Sequence, residues 1–233
     1  IGLGVMGSAM AGHIYNKYIN LIVYNRTMDK AASWVKENGG NTASNAAEVG
    51  ELCEQVFLCV GNDEDVKDVV SGEEGLLQTM KKGSVIVDHT TISADTTKEL
   101  SELCSKKGIG FIDAPVSGGQ TGAELGQLTV MAGGEADCFN KVKETIECYS
   151  KFIKLMGPSG SGQLTKMVNQ ICIAGLIQSL SEGLNFSEEV GLNTKEVIEV
   201  VSKGAAQSWQ MENRWETMLQ DHYDHGFAVD HMR

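Results

Sequence analysis

Apolar and polar positions along this chain switch between two periods. Short, nearly continuous apolar runs at residues 21–24, 55–60, 84–88 and 109–113 have the length and β-branched content of buried strands. Between them, residues 8–18, 30–37, 63–70 and 94–107 repeat their apolar positions near the helical period. Ser44 is placed to cap a further short helix ending at Gly50, and Ser93 to cap the helix that begins at Ala94. Strand and helix therefore alternate at least four times, which predicts an α/β fold with a parallel, doubly wound sheet.

The pattern changes after Ala114-Pro115. Ser117-Gly118-Gly119 and Gly122 read as a flexible loop, followed by a strand at 128–131, a helix at 136–148 and a strand at 152–155. A glycine-rich turn, Gly157-Pro158-Ser159-Gly160-Ser161-Gly162, then opens a proline-free run to Val190. Leu164, Met167, Val168, Ile171, Cys172, Leu176, Leu180 and Leu184 recur there near helical spacing, predicting a rod of roughly 40 Å at 1.5 Å per residue. Asn193 is placed to cap a helix ending at Lys203, and residues 208–218 form another. The expected organisation is an α/β domain over 1–158 and an all-helical domain over 159–233, joined by the long helix.

Composition narrows the function classes. A net charge of −12 over 233 residues argues against a nucleic acid or an anionic membrane surface as partner, since both require clustered Lys and Arg. No apolar run approaches the roughly 20 residues of a membrane span. The six cysteines contain no C-x-x-C pair and read as reduced, mostly core residues, fitting a cytoplasmic or organellar-matrix setting. No signal peptide is visible, and a first residue that is not Met, apparently inside a strand, suggests a piece of a longer protein.

Gly2-x-Gly4-x-x-Gly7 matches the dinucleotide fingerprint at the start of a strand–turn–helix unit. The first glycine permits the tight turn, the second lets backbone approach a pyrophosphate, and the third lets helix and strand pack closely. About 20 residues further on, an Asp or Glu would accept from a ribose 2′-hydroxyl. This chain has Asn25-Arg26-Thr27 there, with no carboxylate before Asp29. A forked guanidinium flanked by neutral hydrogen-bonding groups suits a phosphate, so the expected cofactor is NADP(H) in preference to NAD(H).

Lys166, Asn169 and Gln170 stand at i, i+3 and i+4 and project from one face of the long helix. A lysine partly buried beside apolar helix faces has its charged form disfavoured, which suits acid–base work near neutral pH. Ser117, Gly118 and Gly119 offer a hydroxyl and backbone N–H groups in a nest suited to a carboxylate, although a plain turn has the same composition. Trp209 suits either a wall of the substrate site or a core position. His222-x-x-His225, with Asp221 and Asp224, has neither the spacing nor the third cluster of a metal site, and no metal is expected.

With these motifs together, the chain resembles the β-hydroxyacid dehydrogenase family, which includes 3-hydroxyisobutyrate dehydrogenase, tartronate semialdehyde reductase and the glyoxylate/succinic semialdehyde reductases. Gly-Leu-Gly-Val-Met-Gly-Ser-Ala-Met, Phe111-Ile-Asp-Ala-Pro-Val-Ser-Gly-Gly119, the Gly157-to-Gln170 segment and Gly204-Ala-Ala-x-Ser-Trp209 carry the likeness in order. The resemblance implies a Rossmann-like domain, a helical domain and catalysis in the cleft between them. It implies cofactor contacts from Gly2, Gly4, Val5, Met6, Gly7, Asn25, Arg26, Thr27, Val60, Asn62, Thr91 and Thr96. Substrate contacts would come from Ser117, Gly118, Gly119, Asn169, Gln170 and Trp209, with Lys166 as the catalytic group. Family members carry a Lys-Asp-Leu segment just after the position that matches Arg233, and this sequence does not contain it. The expected activity is NADP(H)-dependent interconversion of a small carboxylated aldehyde and its hydroxyacid, in a homodimer or homotetramer. The rival reading is a non-catalytic nucleotide sensor or interaction subunit with the same fold, and retention of the Lys–Asn–Gln face favours the enzyme.

Overall fold

The computed structural model describes residues 1–222. The chain divides into two compact units, Ile1–Lys166 and Met167–Arg233.

The first unit opens with helix α1 (Val5–Lys17), strand β1 (Ile22–Val23), α2 (Met28–Asn38), β2 (Asn41–Thr42), α3 (Ala46–Leu52), β3 (Gln55–Leu58) and α4 (Asp63–Ser71). It continues through β4 (Val85–Asp88), α5 (Ala94–Lys106), β5 (Gly110–Asp113), β6 (Val116–Ser117), α6 (Gly119–Glu124), β7 (Leu128–Gly133), α7 (Ala136–Ile146) and β8 (Ser150–Gly157). Strands β3, β4 and β5 are parallel neighbours, with Gln55 opposite Val85 and Val85 opposite Gly110. Their side chains are apolar on both faces because helices cover both. Leu58, Val66, Ile86 and Leu100 are buried in one core cluster; Val87, Ile112, Val130 and Ile146 are buried in another.

Direction is where the sheet departs from the sequence expectation. Strand β7 runs antiparallel to β5 and β6 and parallel to β8, so the sheet is mixed. Residue periodicity reports which face is buried and carries no information about strand polarity. The segment read as a flexible loop is also ordered structure. Val116 pairs with Val130 and Ser117 with Thr129, and the Gly122 N–H donates to the Gly118 carbonyl at 3.0 Å as α6 begins. Asn45, and not Ser44, caps α3: the Asn45 side chain accepts from the Glu48 N–H, while the Glu48 carboxylate accepts from the N–H and hydroxyl of Ser44, the residue before the cap.

Strands β1 and β2 form a separate parallel pair. Ile1 and Gly2 bridge it to the main sheet: the Cys59 N–H donates to the Ile1 carbonyl at 3.0 Å and the Gly2 N–H to the Tyr24 carbonyl at 2.9 Å. A cavity of about 350 Å³ lies between the two sheets, lined largely by strand edges and apolar side chains such as Val23, Val56 and Phe57. His89 and Tyr149, hydrogen-bonded to each other at 2.7 Å, also line it, with Lys141 and Glu144.

Helix α8 (Ser161–Glu189) begins in the first unit and continues into the second, where α9 (Thr194–Val201) and α10 (Trp209–Leu219) follow. Asn193 and Ser208 cap these last two helices through their side chains. Leu180, Leu184, Ile198 and Met211 form the second unit's core, with Trp215 and Met218 packed against it.

All six cysteines are free thiols: Cys104 is buried, Cys53, Cys59, Cys138 and Cys148 are partly buried and pack against the two core clusters, and Cys172 is exposed. No helix among the described residues is long and apolar enough to cross a membrane. No group of His, Cys, Asp and Glu among them could hold a metal ion; Asp224 and His225 lie outside the described residues.

Candidate cofactor and catalytic site

The three glycines of the opening motif do different work. Gly2 has φ +86°, and a Cβ there would collide with the Cys59 carbonyl oxygen. A Cβ on Gly7 would collide with the Gly2 carbonyl oxygen, so this glycine lets α1 close onto the turn. Gly4 is exposed, and a Cβ on it would meet nothing within 4 Å. The fold therefore requires Gly2 and Gly7, while the bare Cα at Gly4 keeps space open outside the protein.

That open space faces the start of α1. No side chain caps this helix, and its first turn, beginning with Val5, Met6 and Gly7, carries no acidic residue. N–H groups at a helix N-terminus and the associated positive potential form an anion cradle. The residues present therefore fit a dinucleotide pyrophosphate.

The Asn25-Arg26-Thr27 turn is tied to this cradle. The Asn25 side chain accepts from the Leu3 N–H at 2.9 Å and donates to the Thr27 carbonyl at 3.1 Å. Asn25 therefore holds the glycine loop in shape. Arg26 is exposed and ion-paired with Asp65 at 2.9 Å. Thr27 is exposed and precedes α2 without a side-chain capping bond.

The β3 and β4 ends complete the rim. Val60 packs near Gly2 and donates its N–H to Thr90 Oγ1 at 3.1 Å. Asn62 caps α4 by accepting from the Asp65 N–H. Thr91 is exposed, whereas Thr96 is buried and donates its N–H to Ser93 Oγ at 3.1 Å, the Ser93 hydroxyl in turn donating to the Asp63 carboxylate.

Lys166 lies on the second turn of α8, half-buried, with Nζ donating to the Val116 carbonyl at 2.9 Å. Burial lowers its pKa from the ordinary lysine value. Val116 immediately precedes Ser117, so the hydrogen bond brings the ammonium to the Ser117-Gly118-Gly119 segment. Gly118 (φ +134°) turns the chain into α6, and a Cβ on Gly119 would meet nothing within 4 Å. One turn beyond Lys166, Asn169 Nδ2 donates to Gln170 Oε1 at 2.9 Å. Trp209 opens α10, is 55% exposed and lies under the Arg214 guanidinium, which removes the core alternative for this residue.

Two buried residues that sequence reasoning passed over set the position of Lys166. The Asp113 carboxylate, at the end of β5, accepts from the Gly160 N–H at 2.8 Å and the Gln163 N–H at 3.0 Å. It caps α8 and counters the helix dipole. Burial raises its pKa, and the backbone donors partly oppose that. Gln163 is fully buried; its Nε2 donates to the Thr90 carbonyl at 2.7 Å and its Oε1 accepts from the Ile92 N–H at 3.2 Å. It stitches the start of α8 to the loop after β4, and so to Val60 through Thr90. A carboxylate closing an apolar strand and an amide three residues before the lysine were the available signals.

Residues 1–157 match the family described as the NAD-binding domain of 6-phosphogluconate dehydrogenase, and residues 160–233 that described as NAD-binding of NADP-dependent 3-hydroxyisobutyrate dehydrogenase. The chain is similar to an uncharacterized oxidoreductase of Shewanella frigidimarina, 54% identical over all of this chain and 80% of that one. It is 37% identical to a probable mitochondrial 3-hydroxyisobutyrate dehydrogenase-like protein of Arabidopsis thaliana, over 98% of this chain and 76% of the other. Among solved structures it resembles 3-hydroxyisobutyrate dehydrogenase from Salmonella typhimurium, with a TM-score of 0.86 and 26% identity over 99% of this chain and 81% of that one. The chain therefore belongs to the β-hydroxyacid dehydrogenase family, as an NAD(P)-dependent hydroxyacid dehydrogenase of the 3-hydroxyisobutyrate dehydrogenase type.

Proposed function

We propose that the protein uses NADP(H) to interconvert a small carboxylated aldehyde and its hydroxyacid, with Lys166 as general acid and base. The observation that carries this reading is the Lys166–Val116 hydrogen bond, because it holds a titratable ammonium beside an open, glycine-lined segment that can take a carboxylate. When bound, the cofactor exchanges a hydride with the substrate carbon. In the reductive direction Lys166 Nζ gives a proton to the forming alkoxide oxygen; in the oxidative direction the neutral amine accepts it from the hydroxyl. The Ser117 hydroxyl and the N–H groups of Gly118 and Gly119 hold the substrate carboxylate. Asn169 and Gln170, one turn further along α8, orient the substrate hydroxyl or the ammonium.

The NADP(H) preference is supported by Arg26 and by the absence of a carboxylate in the Asn25-Arg26-Thr27 turn. Glyoxylate, succinic semialdehyde, tartronate semialdehyde and methylmalonate semialdehyde are the candidate substrates. A homodimer or homotetramer fits the exposed apolar residues Ile171, Phe186 and Val200.

The test follows NADPH and NADH consumption in parallel against the four aldehydes. Turnover on one of them with NADPH well ahead of NADH is the expected result. NADH ahead of NADPH on every active substrate overturns the cofactor assignment. Wild-type turnover by Lys166→Ala overturns the mechanism.

A further inference from the structure

Arg26 does not wait alone for a phosphate. Its Nη1 donates to Asp65 Oδ1 at 2.9 Å, across 39 residues of sequence. The two partners are unequally held: the Arg26 side chain is 86% exposed and that of Asp65 only 27%.

Several features fix Asp65. It sits in the first turn of α4, where a carboxylate is favoured by the helix N-terminus. Its own N–H is held by the Asn62 cap at 2.9 Å. Gly61 makes room for it, since a Cβ there would stand 2.5 Å from Asp65 Oδ2. The neighbouring acids are otherwise engaged: Asp63 accepts from Ser93, and Glu64 lies 3.8 Å from Lys67. The aspartate is thus a held anion, and the arginine is an exposed cation resting against it.

We propose that Asp65 is a specificity-determining residue for the cofactor: it competes with the 2′-phosphate for Arg26 and sets the ratio of NADPH to NADH binding lower than Arg26 alone would give. The inference rests on the NADP(H) reading above. A 2′-phosphate reaching Arg26 must either displace the Asp65 carboxylate or share the guanidinium with it. Sharing leaves guanidinium N–H groups for both, but it brings like charges together. A cofactor with a free 2′-hydroxyl adds no charge there and meets neither cost. The chain thus carries a carboxylate near its ribose-reading turn, supplied from α4 and not from the turn itself.

The experiment titrates the intact protein with NADPH and NADH at low, fixed ionic strength, following nicotinamide fluorescence. The proteins are the wild type, Asp65→Asn, Arg26→Ala and the double variant. Releasing an exposed ion pair is worth up to about fivefold in an equilibrium constant, and removing the like-charge repulsion adds to it. Asp65→Asn is expected to tighten NADPH binding by about fivefold to tenfold, with NADH changed by less than about twofold. The gain is expected to shrink as salt screens the charges and to be smaller in the Arg26→Ala background. Unchanged or weaker NADPH binding by Asp65→Asn overturns the proposal. So does an equal shift for both cofactors, which would mark an effect on loop shape. If Arg26→Ala leaves NADPH affinity intact, the NADP(H) reading fails and this inference falls with it. If Arg26→Ala weakens NADPH while Asp65→Asn does nothing, the reading stands and this inference alone fails.

Discussion

Lys166 donates from Nζ to the carbonyl of Val116 at 2.9 Å, although the two residues are 50 apart in the chain. The bond joins the start of α8 to the strand that leads into Ser117. It is a neutral acceptor for a cation that burial already disfavours, so the ammonium is positioned without being locked by a carboxylate partner. A lysine ion-paired to Asp or Glu would have its pKa raised and would part with its proton less readily.

Replacing Lys166 by Ala is expected to lower kcat by about 10²- to 10⁴-fold, the usual worth of a positioned acid or base. Cofactor affinity is expected to stay within about twofold, since the cradle at Gly4 is built from other residues. The pH profile gives an independent check. In the proposed mechanism reduction uses the protonated lysine, so its rate falls as pH rises through the Lys166 pKa; oxidation uses the neutral amine, so its rate rises through the same value. Because that pKa is lowered, both inflections should appear below the 10.5 of an unperturbed lysine. Lys166→Arg keeps the charge and should abolish both inflections.

The glycine motif separates fold from binding. Gly4→Ala introduces a methyl group that meets no protein atom within 4 Å, so thermal stability should change by less than about 1 kcal/mol, the scale of an N-cap substitution. Binding of either nicotinamide cofactor should weaken at least about tenfold if, as we propose, the pyrophosphate approaches the backbone at this glycine. Gly7→Ala should do the opposite first: its Cβ collides with the Gly2 carbonyl oxygen, and the protein should lose stability whether or not cofactor is present. Thermal melts with and without cofactor distinguish the two.

The parts of this molecule that were legible in the sequence are those encoded locally. Apolar runs marked β3, β4 and β5, and the caps at Ser93 and Asn193 are visible as side chains before helices. The antiparallel course of β7 was not legible, since alternation looks the same in either direction. Helix α6 was hidden by Gly119 and Gly122, which lower helix propensity although tertiary contacts hold the turn. Arg26 was legible as a cation, but its partner Asp65 lies on another helix. Asp113 and Gln163 were passed over for the same reason: their partners are 47 to 73 residues away.

Gln163→Leu tests how far α8 depends on that buried amide. The substitution leaves the Thr90 carbonyl and the Ile92 N–H without their partner inside the protein. Each orphaned buried group costs about 1–3 kcal/mol, so a loss of stability of about 2–4 kcal/mol is expected in denaturant titration. Because Thr90 also holds the Val60 N–H, cofactor affinity should weaken along with stability. Unchanged stability would mean that water replaces both bonds.

Asp88 gives the fold a pH dependence of defined sign. The carboxyl ends β4, is fully buried, and accepts from the Thr90 N–H through Oδ1, while Oδ2 has no hydrogen-bond partner in the structure. Burial pushes its pKa up to about 7, with the Thr90 hydrogen bonds opposing and the Asp113 charge reinforcing the rise. The folded protein therefore holds this proton between the unfolded value of 3.8 and about 7, where the unfolded chain has lost it. Proton binding by the folded state alone means that this group's contribution to stability declines as pH rises through that window and stays low above it. Asp88→Asn keeps the acceptor for Thr90 and removes the charge. It should stabilise the protein by about 2 kcal/mol at pH 8, where the wild-type carboxylate is buried and half-partnered. At pH 5, partway down that window, the gain should be smaller, and it should vanish only below the unfolded value of 3.8, where both states hold the proton. Denaturant midpoints of both proteins at the two pH values measure the difference, and an equal effect at pH 5 and pH 8 would place the proton elsewhere.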